Sequence, residues 1–205
     1  MTGPRRRSWP GADEPGRRLF VAVPLPPAAA SDVAALVERV RAPGVPGGGR
    51  DARWVRMDGL HLTLRFLGPT LEPRVPATRA AVLGSAAGPG FDVELNGGGA
   101  FPSPDRPRTL WLGIVDGAAA LASLAGHLDE ALAVAGWPPP DRPFRPHLTL
   151  ARSDGITAGA GLAQRLMSEA ADLHLRFGVD RVGLFESLTG GGPARYEPLE
   201  MVRLR

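Results

Sequence analysis

An α+β protein built mainly from antiparallel sheets is the fold class the sequence predicts. Three observations carry that expectation. Short apolar runs of strand length outnumber helical patterns. They arrive in adjacent groups instead of alternating one for one with helices. One strand-like tetrapeptide occurs twice, 86 residues apart. The 205 residues are expected to form a basic, disordered tail over 1–18 and a single domain over 19–205.

Order begins at Leu19-Phe20-Val21-Ala22-Val23, an apolar run closed by Pro24 and read as a buried strand. Ser31 and Asp32 offer N-cap oxygens to a helix with Val33, Leu36, Val37 and Val40 on one face. The Gly/Pro stretch 43–49 is a loop. Trp54-Val55 and His61 to Leu67 read as strands separated by a turn at Asp58-Gly59. A helix over 73–86 and a strand over 91–95 complete the first half. In the second half, 97–107 is a Gly/Pro loop and Leu110 to Val115 a strand. Residues 118–135 form an Ala/Leu helix ended by Gly136 and the Pro138–Pro140 run. A strand over 147–151, a helix over 159–170, two strands from Leu173 to Leu188 and a last one from Tyr196 to Leu204 follow.

Composition removes several chemistries. The chain has no cysteine, which excludes disulfides, thiolate catalysis and Cys-ligated metals. All 24 basic residues are arginine. A Walker-type loop, a Schiff-base enzyme and a lysyl-nucleotidyl ligase all need an amine and are excluded with lysine. The +3 net charge resides in residues 1–18; beyond them 19 Arg and 19 acids cancel. A basic tail on a neutral body is not a nucleic-acid coat, so any nucleic acid is expected at a discrete site. No run approaches the ~18–20 apolar residues of a membrane span, and no secretory pattern opens the chain. A cytoplasmic protein without a membrane partner is therefore expected.

The repeated segment is His61-Leu62-Thr63-Leu64 and His147-Leu148-Thr149-Leu150. Strand side chains alternate faces, so the four leucines point to core while each His and Thr share the other face. A lone histidine on a sheet face is usually structural. Core packing, however, does not demand the same His and Thr on the non-core face twice. Two facing copies would create a cleft with two imidazoles, able to serve as general base and general acid near neutral pH. Two hydroxyls there would hold the non-bridging oxygens of a phosphodiester. Arginine would manage the charge, so neither a metal nor another cofactor is expected.

Paired His-x-Thr-x motifs are the mark of the 2H phosphoesterases, and the chain resembles their RNA 2′,3′-cyclic phosphodiesterase (2′-5′ RNA ligase-like) branch. The resemblance runs through "RRLFVAVPLP", "LHLTLRFLG", "GGGAFPSPDRPRTLWLGI", "RPFRPHLTLAR" and "LFESLTGGGPARYEPL". It implies a bilobal fold, two antiparallel-sheet lobes with outer helices around a central cleft, related by a pseudo-twofold axis. It further implies hydrolysis of RNA or nucleotide 2′,3′-cyclic phosphate ends to a 2′-phosphate by a monomer. His61 would be the proton donor, His147 the proton acceptor, and Thr63, Thr149 and Arg152 the phosphate-binding residues. Strict alternation puts Arg152, five residues after His147, on the wrong face and gives cleft parity to Arg65 instead. The "HLTLAR" pattern keeps Arg152, with Arg65 as the weaker candidate.

Other readings carry less. A non-catalytic binder of 2′-5′ or cyclic nucleotides would not need both histidines, and a 2H enzyme acting on 2′-5′ linkages would keep the chemistry and change the substrate. His127 and His174 sit among acids on solvated faces. The glycine runs 47–49, 97–99 and 190–192 lack a strand–GxGxxG–helix context. Phe20, Phe101 and Trp111 could stack a base, but core packing is the commoner role.

Overall fold

A computed structural model describes residues 16–42, 52–153, 159–189 and 193–205. The expected tail (apart from its last residues), the 43–49 loop and the glycine run 190–192 lie outside them. In order, the chain forms β1 (Arg17–Pro24), α1 (Pro27–Arg41), β2 (Ala52–Trp54), β3 (His61–Thr70), α2 (Val75–Ser85), β4 (Phe91–Phe101), β5 (Thr109–Asp116), α3 (Ala118–Val134), β6 (His147–Ser153), α4 (Gly159–Glu169), β7 (Leu175–Val179), β8 (Arg181–Leu188) and β9 (Arg195–Arg203).

The strands make two antiparallel sheets, ordered β3-β1-β8-β9 and β2-β6-β5-β4-β7. Helices α2 and α3 pack on the first and α1 and α4 on the second. With edge strand β2 set aside, β3, β1, β8 and β9 match β6, β5, β4 and β7 position for position, which is the expected pseudo-twofold. The halves are exchanged as well as repeated. β4 leaves the first half to join the second sheet, and β8 returns to the first. Helices α1 and α3 cross in the same way. The core consists of the apolar faces under these helices, among them Val33, Leu36, Val93, Leu112, Leu128, Leu148 and Leu166, each fully buried.

Three sequence expectations are corrected. Strand β1 begins at Arg17, two residues before the expected start of order at Leu19, and its guanidinium is clamped by Glu186 at 2.7 and 2.9 Å. Helix α1 starts at Pro27 without a side-chain cap, so Ser31 and Asp32 lie inside it. Proline at the first turn is tolerated there because that N–H has no helical partner. Residues 97–101, read as loop, continue β4. A Cβ at Gly98 would press on Leu166 and one at Gly99 on the Trp111 ring. These glycines serve close packing within a strand, a use that composition does not distinguish from a loop.

Candidate active site

The two tetrapeptides open β3 and β6, the matching edge positions of the two lobes once β2 is set aside. Leu62 and Leu148 are buried on the helix side; His61, Thr63, His147 and Thr149 remain partly accessible on the other face. Each imidazole is tied down identically. The Nδ1–H of His61 donates to the Gly59 carbonyl at 2.7 Å, and that of His147 donates to the Arg145 carbonyl at 2.7 Å. A carbonyl can only accept, so both rings carry a proton on Nδ1 and leave Nε2 for chemistry.

Both copies then break alternation at the same place. In β3, Thr63 pairs with Ala22 but Arg65 with Val21, leaving Leu64 as an extra residue; in β6, Thr149 pairs with Trp111 but Ala151 with Leu110, leaving Leu150 extra. A bulge of one residue reverses the facing of everything after it. Arg65 therefore turns inward. It is only 9% exposed and donates to Asp129 at 3.1 Å and to the Pro138 carbonyl at 2.6 Å, pinning β3 to α3 and the loop after it. Arg152 turns back to the cleft. The weaker candidate of the sequence reading is thus a structural ion pair, and the parity objection to Arg152 disappears.

Arg152 joins the two lobes electrostatically. Its charge acts on both imidazoles and on the Tyr196 hydroxyl. Both histidines are held below their ordinary pKa, first by burial in the cleft walls and then by Arg152, against the pull of their carbonyl partners. Arg152 is lowered by the same desolvation, although the residue as a whole is exposed. Burial raises Tyr196, opposed by Arg152.

Aromatic rings floor both sides. Phe20, 1% exposed, lies 4.8 Å from the His61 ring and against Phe185 and Tyr196. Phe101 meets His147 edge-on at 5.2 Å and Trp111 at 5.0 Å. Phe20 is thus buried core beneath His61, and the half-buried Phe101 and Trp111 stand beside His147. Sequence reasoning passed over two residues. Tyr196, the chain's one tyrosine, sets its ring edge-on to His61 at 4.9 Å and fills the space a Cβ at Gly59 would need. Phe66 occupies the position in β3 that Arg152 holds in β6, five residues after the histidine. It is 56% exposed and stacks on Phe20 at 5.8 Å. Its signal in the sequence was the bulge, which no single sequence announces. His127 lies on α3 beside the groove between α2 and α3, away from these strands. His174 pairs with Glu94 at 2.8 Å at the far side of the second sheet.

A duplicated, exchanged α+β fold with one His/Thr pair per lobe is a narrow class. Residues 24–191 match the 2′-5′ RNA ligase superfamily, and the chain belongs to that family. A curated relative from Aeropyrum pernix, named RNA 2′,3′-cyclic phosphodiesterase, is 36% identical over 70% of this chain and 77% of its own. One of the same name from Escherichia coli is 30% identical over 90% of this chain and 94% of its own. Among solved structures, E. coli LigT complexed with 3′-AMP superposes with a TM-score of 0.70 at 30% identity, covering 92% of this chain and 98% of that one. A Thermus thermophilus protein, TT0787, gives 0.72 at 28% identity, with the same coverage.

Proposed function

We propose that this protein is a metal-independent RNA 2′,3′-cyclic phosphodiesterase that opens the cyclic phosphate of RNA ends or nucleotides to a 2′-phosphate. The carrying observation is the duplicated imidazole geometry, in which two Nδ1-anchored histidines from different lobes both feel Arg152. The names of the curated relatives and the nucleotide held by E. coli LigT agree with the substrate class.

In this mechanism His147 Nε2 takes a proton from water, whose oxygen forms the new bond to phosphorus. The bond from phosphorus to O3′ breaks in line with it, and His61 Nε2–H protonates the departing O3′. The products are a 2′-phosphate monoester and a free 3′-hydroxyl, and the proton left on His147 returns to His61 through solvent. Thr63 and Thr149 donate hydroxyl hydrogens to the non-bridging oxygens, and Arg152 supplies fixed positive charge where negative charge builds. Phe66 offers an aromatic shelf at the mouth of the cleft for the base.

Turnover of a short RNA with a 2′,3′-cyclic end, in excess EDTA, tests the proposal. More than one product per protein molecule is expected. Tight binding without turnover would instead make this a cyclic-end binding protein, and loss of turnover in EDTA would overturn metal independence.

A further inference from the structure

Arg53 belongs to the same cleft face and has no part in the reaction above. β2 and β6 are antiparallel with Arg53 directly opposite Arg152. Cross-strand partners project from one face of a sheet. The next pair, Trp54 with Ala151, packs into the core, so Arg53 and Arg152 share the other face. Thr109 of β5 pairs with Arg152 from the other side. Thr109, Arg152 and Arg53 thus form a row of hydrogen-bond donors across three strands, each step ~4.8 Å.

Two guanidinium groups facing each other across a strand pair repel, and Arg53 is among the groups that depress Arg152. Among the described residues no carboxylate forms an ion pair with the exposed Arg53. An anion arriving beside Arg53 would offset its repulsion with Arg152. The reacting phosphate already has Thr63, Thr149 and Arg152. The next anion on an RNA end is the phosphodiester on the 5′ side of the terminal ribose. Arg53 stands one strand beyond Arg152, on the sheet edge, where a chain can leave the cleft.

We propose that Arg53 binds the 5′ phosphate of the terminal nucleotide, so that the site is built for the cyclic end of an RNA chain in preference to a nucleoside cyclic phosphate alone. This rests on the phosphodiesterase reading above and specifies its substrate class.

The test compares a nucleoside 2′,3′-cyclic phosphate with and without a 5′-phosphate, and a short RNA with the same end, in wild type, Arg53→Gln and Arg53→Lys. Wild type prefers the 5′-phosphorylated substrates. Arg53→Gln lowers the kcat/KM ratio of 5′-phosphorylated to unphosphorylated substrate by about tenfold, chiefly through KM, the scale of one hydrogen-bonded charge. Arg53→Lys restores much of it. The salt dependence of RNA binding becomes shallower by about 0.7 in log–log slope, one phosphate contact on a single strand. A ratio unchanged by Arg53→Gln overturns the proposal and leaves Arg53 as an edge-strand charge that deters strand pairing. An equal loss on both substrates overturns it too, placing the effect on Arg152. If wild type hydrolyses nothing, the phosphodiesterase reading has failed. The same ratio, measured as binding of a nucleoside 2′-phosphate with and without a 5′-phosphate, still decides the role of Arg53.

Discussion

Burial and Arg152 make both imidazoles reluctant to hold a second proton, yet the proposed mechanism requires one of them to donate it. The substrate's negative charge answers this by favouring the imidazolium once it is bound. With both histidines below 6.5 in the free enzyme, the alkaline limb of kcat/KM falls below pH 6.5, and the corresponding limb of kcat moves to higher pH. Coincident limbs in a pH–rate series would contradict that coupling. His61→Ala and His147→Ala each lower the rate by ~10²–10⁴. A substrate with a far better leaving group should recover much of the His61→Ala loss and little of the His147→Ala loss, because only the first lacks a proton donor. The reverse pattern would exchange their roles.

The bulges at Leu64 and Leu150 are what the tetrapeptide alone could not reveal. Up to Thr63 and Thr149, period-two alternation reads correctly from the residues, since each leucine has a core to enter. One residue later the extra position re-aims Arg152 toward the His147 face, Arg65 into the interior and Phe66 onto Phe20. A bulge depends on the partner strand's register, which local sequence does not carry. The second half of β4, expected as loop from Gly97, differs for a related reason, because Gly98 and Gly99 answer to Leu166 and Trp111 from distant segments. The inward Arg65 has its own consequence. Arg65→Ala leaves Asp129, already raised by burial, without its cation. The unfolded state keeps Asp129 at its ordinary pKa, so the carboxylate form opposes folding and protonation removes that opposition. In urea unfolding the variant should lose ~1–3 kcal/mol at neutral pH, and less as pH falls through the raised Asp129 pKa. A loss that does not change with pH would mean that the Pro138 carbonyl, not Asp129, is the important partner.

Exchange of β4 and β8 between the sheets gives neither lobe a complete sheet from its own half of the chain. The two lobes are accordingly expected to unfold together, with far-UV dichroism and tryptophan fluorescence following one transition; separate transitions would refute this. Separation of the lobes would also divide the proposed catalytic groups, since His61 and Tyr196 come from one sheet and His147 and Arg152 from the other. The duplicated motif made that division legible in the sequence, whereas the crossing of strands and helices became visible only in the fold. The most direct measurement is phosphorus NMR of a nucleoside 2′,3′-cyclic phosphate incubated in EDTA with wild type and with His61→Ala/His147→Ala. Wild type is expected to yield a 2′-phosphate and the double variant none. A 3′-phosphate, or equal turnover by the double variant, would contradict the proposed function.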